Sequence, residues 1–142
     1  MAVRIDYLGD HPEYIPTIAR WHQLQWGYLD PDRTLEDRIA ELRTHLAPRS
    51  IPTTFVAVDE EMPVGCVSLI PHDLDTQPPL TPWLASLYVA PRHRRRGVGS
   101  ALVQRVVEEA RLLDIATLYL FTPDQDRFYA RRGWAVLHRD VL

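Results

Sequence analysis

Apolar positions recur along this chain with two different periods, and the changes of period mark the elements. Residues Val3 to Leu8 read as a short strand and Gly9 to Pro12 as a turn. A helix is predicted from about Tyr14 to Trp26, with Pro16 early in it and Gly27 as its stop. Its apolar residues, Ile15, Ile18, Ala19, Trp21, Leu24 and Trp26, spread over more than one stripe, which fits burial on two sides or the wall of a pocket. The next helix is one-faced: Thr34 caps it, Glu36 and Asp37 fill its first turn, and Leu35, Ile39, Leu42 and Leu46 recur at helical spacing before Pro48. Thr53–Asp59 and Pro63–Ile70 form a predicted hairpin, and a proline-rich polar loop, PHDLDTQPPLTP, follows it.

The run Trp83–Val89 has no charge at all, as expected of a central strand covered on both faces. Val98, Ala101, Leu102, Val106, Ala110 and Leu113 then hold helical spacing, and Thr117–Phe121 is another short strand. Thr122, Pro123 and Gln125 match a capping box for a short helix reaching about Arg132, with Gly133 as its stop and a final strand in WAVLHR. A strand, a glycine-rich turn, a helix and a strand in succession imply a right-handed crossover and at least one parallel pair.

The chain has 142 residues, the length of one ordinary domain, and a formal charge of −3. Its start has no apolar signal region and no run is long enough to span a bilayer, so a cytoplasmic protein without membrane association is expected. The one cysteine, Cys66, sits in an apolar strand and reads as a small buried hydrophobe. Against this background PRHRRRGVGSAL, Pro91 to Leu102, is anomalous: Arg92, Arg94, Arg95 and Arg96 crowd a predicted helix start that already carries about half a positive charge. A nucleic-acid surface would shift the whole domain basic. The cluster instead calls for a compact anion, held by backbone N–H groups that glycines leave accessible.

The segment lacks the P-loop pattern, and Leu102 occupies the third glycine position of the dinucleotide fingerprint. It does match RxxGxG, as Arg94, Gly97 and Gly99, after a strand reading LYVAP and before an amphipathic helix; RFYARRGW (Arg127 to Trp134) supplies FYxxxGW downstream. With these motifs in register the sequence resembles the GCN5-related N-acetyltransferase (GNAT) family, over nearly the whole chain. The resemblance implies one α/β (α+β) domain over residues 1–142, a mixed central sheet with a splayed parallel strand pair, flanked by helices. It implies acetyl-CoA as co-substrate, no metal, and acetyl transfer to a primary amine, of a small molecule or a protein N-terminus, by direct attack in a ternary complex. Carried over by position, the backbone N–H groups of Arg95, Arg96, Gly97, Val98, Gly99 and Ser100 cradle the pyrophosphate, with Arg94 at the motif's opening. Leu87, Tyr88 and Val89 line the pantetheine arm, a backbone N–H near Val89 polarises the acetyl carbonyl, and Tyr129 is the general acid.

Three departures qualify the match. Ser86 stands where many members carry a glutamate base, which leaves His22, His72, Asp73, Asp75 and Glu60 as candidates by chemistry, beside a water chain. Thr122 and Gln125 replace the family's Asn and Ala ahead of the tyrosine. One strand rather than two fits after Trp134, as in a smaller or truncated sheet, or one completed by the partner in a homodimer. Trp21 and Trp26 are packing residues or an aromatic wall over the acceptor. HDLD has no second ligand cluster at a metal-binding spacing. Two other functions compete: an acyl-CoA-binding sensor without catalysis, and a nucleic-acid-binding module built on PRHRRRG.

Overall fold

A computed structural model describes residues 3–73 and 79–139. In chain order the elements are β1 (Val3–Tyr7), α1 (Ile15–Trp26), α2 (Leu35–Leu42), β2 (Thr53–Asp59), β3 (Met62–Ile70), β4 (Trp83–Val89), α3 (Val98–Leu112), β5 (Tyr119–Leu120) and α4 (Asp126–Ala130). The strands lie in sequence order in one sheet, antiparallel from β1 to β4 and parallel between β4 and β5. The mixed sheet and its crossover through α3 are those the periodicity predicts.

Both faces of the sheet are covered. Phe55, Ala57, Val67 and Leu84 pack with Leu102 and Val106 of α3, while Val56, Val58 and Cys66 pack with Ile15, Ile18 and Leu42 of α1 and α2. Alternate residues of one strand point to opposite faces, so a strand buried on both sides reads as a continuous apolar run. That explains the unbroken burial of Thr53–Val58.

Several boundaries differ from expectation. No strand forms at WAVLHR among the described residues; Ala135 to Arg139 are exposed, with no strand beside them to pair. β5 is Tyr119–Leu120 rather than Thr117–Phe121, because its partner strand veers away after two pairs. Thr122 Oγ1 accepts the Gln125 N–H at 2.9 Å, but α4 starts only at Asp126 and Gln125 makes no side-chain cap, so only half of the expected box exists. Gly133, at φ +90°, does end that helix in the left-handed region, where a side chain is strained. α1 ends at Trp26 as predicted, with Gly27 as its C-cap, although Gly27 is right-handed and opens a short 3-10 turn. α2 stops at Leu42, four residues short of Leu46, and is capped as predicted by Thr34, whose side chain exchanges bonds with Asp37.

Two buried polar groups bear on stability. Glu109, fully buried on α3, accepts Tyr7 Oη at 2.8 Å on each oxygen, the Arg49 N–H at 3.0 Å and Arg105 Nη1 at 3.1 Å. One carboxylate thus ties α3 to β1 and to the loop before β2. His22 lies on the buried face of α1, and burial first, then the charges of Arg38, His45 and Arg33, pushes its imidazole down to about 4.

Removing Glu109 strands a buried hydroxyl, an amide and a guanidinium, so Glu109→Ala is expected to lower unfolding free energy by about 3–5 kcal/mol in urea titration. The folded protein also binds a proton at His22 less well than the unfolded chain does. Its contribution is therefore complete above about pH 6.5 and is lost as pH falls toward 4. Urea titrations at pH 7 and pH 5 should show the loss, and His22→Gln should reduce it by about half, because burial lowers the His45 imidazole to about 4 as well.

Candidate active site

The site arises where the parallel ladder fails. β4 and β5 pair only at Trp83 with Tyr119 and Leu84 with Leu120; from Ala85 onward no residue of β4 pairs with β5. At the same place β4 bulges on its other side: Cys66 faces Tyr88 while Ser68 faces Ala85, so β4 holds one extra residue there, and Ser86 takes φ +57°. The bulge bends β4 away from β5 and opens a cavity of about 960 Å³. Ser86 to Val89 are accordingly half-buried, not covered on both faces as their composition predicts.

One end of the cavity is the arginine turn. α3 begins at Val98, after the arginines, with Gly97 at φ +82° as its N-cap residue and Arg95 at φ +62° two residues earlier. Alternation between right- and left-handed backbone turns successive N–H groups toward one concavity, and the first turn of a helix adds its own unpaired donors. A Cβ at Gly97 would meet nothing within 4 Å, so glycine is needed there for its φ alone. At Gly99 a Cβ would make ordinary contacts, 3.6 Å to Phe128 and 3.7 Å to Val89. The protein's own packing therefore does not need glycine at that point.

Of the predicted residues, Leu87, Tyr88, Val89, Arg94, Arg95, Gly97, Gly99, Ser100 and Tyr129 line this one cavity. Arg96 and Val98 do not; the Val98 side chain is in the core beneath the turn. Arg94 uses its side chain on the protein, donating from Nε to the Val89 carbonyl at 2.8 Å and lying 5.5 Å from the Tyr88 ring centre. It pins the turn to the end of β4. Arg132, which periodicity did not single out, replaces it as the cation facing the first turn of α3: Nε donates to Ser100 Oγ at 2.6 Å, and the guanidinium covers the Phe128 ring at 3.7 Å. Its spacing of four from Phe128 within RFYARRGW was the available signal.

Tyr129 is 8% exposed, edge-on to Phe128 and Trp134, and its hydroxyl makes no hydrogen bond to a described residue. Burial raises its pKa to about 12, against a smaller lowering by Arg132. It is protonated throughout the physiological range. Both Phe128 and Tyr129 line the cavity.

The other end is walled by α1, α2 and the end of β3. Of the candidate bases, His22 and Asp73 line the cavity; Glu60 and His72 do not, and Asp75 lies outside the described residues. Asp73 sits at the exposed rim, where partial desolvation by the surrounding chain raises its carboxyl pKa. His45 Nδ1, Thr54 Oγ1 and Ser68 Oγ form a buried string at 2.9 and 2.7 Å, reaching the cavity at both His45 and Ser68. Trp26 lines the wall, edge-on to His22, while Trp21 is not part of it and stacks on Tyr88 instead. Cys66 is fully buried, with Sγ 3.7 Å from His22 Nε2, and burial pushes its thiol pKa up, away from the thiolate. Among the described residues no helix is long and apolar enough to cross a membrane, and no three potential ligands cluster for a metal ion.

The sequence matches the acetyltransferase (GNAT) family over residues 15–134. Its structure is similar to that of the aminoglycoside N-acetyltransferase AAC(6')-Iy in complex with a bisubstrate analogue, at 18% identity and TM-score 0.75, covering 100% of this chain and 97% of that one. It is also similar to glucosamine-6-phosphate N-acetyltransferase from Arabidopsis thaliana (15% identity, TM-score 0.70, 100% and 97% covered). A GCN5-related N-acetyltransferase from Ralstonia eutropha JMP134 is similar too (23%, 0.70, 99% and 97%). At these identities the likeness establishes the fold, and among curated proteins none matches. The family match takes in the opened strand pair, the glycine turn and Tyr129: the chain belongs to the acetyltransferase (GNAT) family.

Proposed function

We propose that this acetyltransferase moves the acetyl group of acetyl-CoA to a primary amine by direct attack in a ternary complex. The observation that carries the reading is that one continuous cavity joins the left-handed turn before α3, the unpaired end of β4 and the Tyr129 side chain. A glycine whose Cβ would clash with nothing in the protein, beside Arg95 and Arg132, fits a pyrophosphate. Arg95, Gly97, Gly99 and Ser100 would hold it, and Leu87, Tyr88 and Val89 would flank the pantetheine arm. Bound acetyl-CoA supplies a thioester, an acetyl donor open to attack by a neutral amine.

The protein's own groups have two tasks. Tyr129 holds a proton at Oη, available to a leaving sulfur. Asp73 takes the proton of the acceptor's ammonium. It is favoured over His22 because protonating His22 would set a new cation beside Arg38 and Arg33, whose charges already oppose it. With Cys66 sealed in the core and held as the thiol, an acyl-enzyme route lacks a nucleophile at that position.

Tyr129→Phe is expected to cut kcat roughly a hundredfold or more in a thiol-release assay with acetyl-CoA and an amine panel, with CoA affinity by calorimetry preserved. An unchanged kcat overturns the role of Tyr129, and CoA binding without release from any amine favours a sensor. Gly99→Ala should weaken CoA binding while leaving the melting temperature equal or higher, since alanine is the better helix former. Asp73→Asn should lower kcat/KM about tenfold or more at neutral pH, with the deficit closing as pH rises toward the acceptor's own pKa and base help becomes unnecessary. A deficit independent of pH would remove Asp73 from the proton path.

A further inference from the structure

Arg38 breaks the pattern of its own helix. It follows Leu35 by three residues and precedes Leu42 by four, so it falls on the stripe that α2 turns inward, and it is 7% exposed. A guanidinium does not lose its charge in a protein, and enclosing it is unfavourable by several kcal/mol unless an anion faces it. No carboxylate among the described residues pairs with Arg38. Its one hydrogen bond runs from Nε to the neutral Gln23 Oε1 at 2.7 Å, and the side chain lines the cavity.

The neighbours do not supply the missing charge. Glu41, which also lines this end of the cavity, is paired with Arg33. His22 and His45, which share this end of the cavity, are kept neutral by burial and by the arginine charges. Asp73 lines the cavity as well, at its exposed rim, and forms no ion pair with a described residue. Asp30 acts on Arg38 only through space, without an ion pair or hydrogen bond. The α1–α2 end therefore presents one enclosed guanidinium with no direct anionic partner among the described residues.

We propose that the acceptor is a small amine that also bears an anionic oxyacid group, a carboxylate or a phosphate, and that Arg38 binds this group at the α1–α2 end of the cavity. The inference rests on the amine-acetylation reading above and narrows it. The bidentate fork of a guanidinium matches either oxyanion, and the partner would satisfy the donors that Gln23 leaves over. The ammonium end of such an acceptor is then left to Asp73. Polyamines and polycationic amino sugars place a second positive charge against Arg38 and are excluded by the same field.

The test uses matched pairs: an amino acid against its decarboxylated amine, and an amino sugar phosphate against the unphosphorylated sugar. Thiol release should favour the anionic member by roughly ten- to a hundredfold in kcat/KM, and Arg38→Met should bring that ratio to about one. A melting measurement, free of turnover, accompanies it. With CoA saturating, inorganic phosphate should raise the melting temperature of the wild type and not of Arg38→Met. Arg38→Met should itself melt no lower than the wild type, since it removes an unpaired buried charge; a structural arginine would make it melt lower. Preference for the cationic members, a ratio that survives the substitution, or phosphate stabilisation that does not depend on Arg38 overturns the inference. Failure of CoA itself to bind would instead strike the acetyl-CoA reading.

Discussion

The parallel pairing of β4 and β5 lasts for two residue pairs and then stops, and the site exists because it stops. A strand buried under helices cannot leave its backbone groups unpaired without a replacement. Here β4 keeps its antiparallel ladder to β3 through the bulge at Ser86 and gives up only the β5 side. The open side carries Leu87 to Val89 past Tyr129 and delivers the chain to the arginine turn, where Arg94 fastens the turn back to the Val89 carbonyl. A straight β4 would have continued the ladder and closed the cavity.

The crowding of arginines beside a helix start has a mostly local resolution. α3 begins three residues after Arg95, so the cations precede the helix rather than occupy its first turn. Arg94 is engaged by a carbonyl and the Tyr88 ring. Of the turn's other arginines Arg95 lines the cavity, joined there by Arg132 from beyond α4, which donates to Ser100 Oγ and to the Phe128 carbonyl. Under the acetyl-CoA proposal, converging dipoles and charges would hold the diphosphate, and the number of arginines in the motif overstates how many could share it.

Strand periodicity, the amphipathic stripe of α3 and the glycine spacing are local properties, and these parts of the fold were legible in the sequence. The bulge was not. Ser86 has no residue-type signature for positive φ, and the extra residue shows only in the register against β3. WAVLHR has the composition of a strand, yet a strand needs a partner edge, which β5 at two residues does not provide. Glu109 sits among apolar residues of α3 and was passed over because its partners, Tyr7 and Arg49, lie 102 and 60 residues away. Arg38 was legible in principle, since a charge on the Leu35–Leu42 stripe violates the binary pattern.

Glu109 and Arg38 show how two buried charges, on helices that cover opposite faces of the sheet, can mean opposite things. Each is almost wholly enclosed and each sits where the pattern calls for a hydrophobe. The Glu109 carboxylate accepts bonds from a hydroxyl, an amide and a guanidinium, so its desolvation is offset inside the fold and its place is explained by stability. Arg38 has a single neutral acceptor for five donors, beside a second arginine and two neutral imidazoles. Among the described residues only Asp30, at a distance and without an ion pair, opposes its charge. A group that destabilises its own protein and faces a cavity is best understood through what enters the cavity, because only a bound anion completes the interactions that the sequence left unfinished.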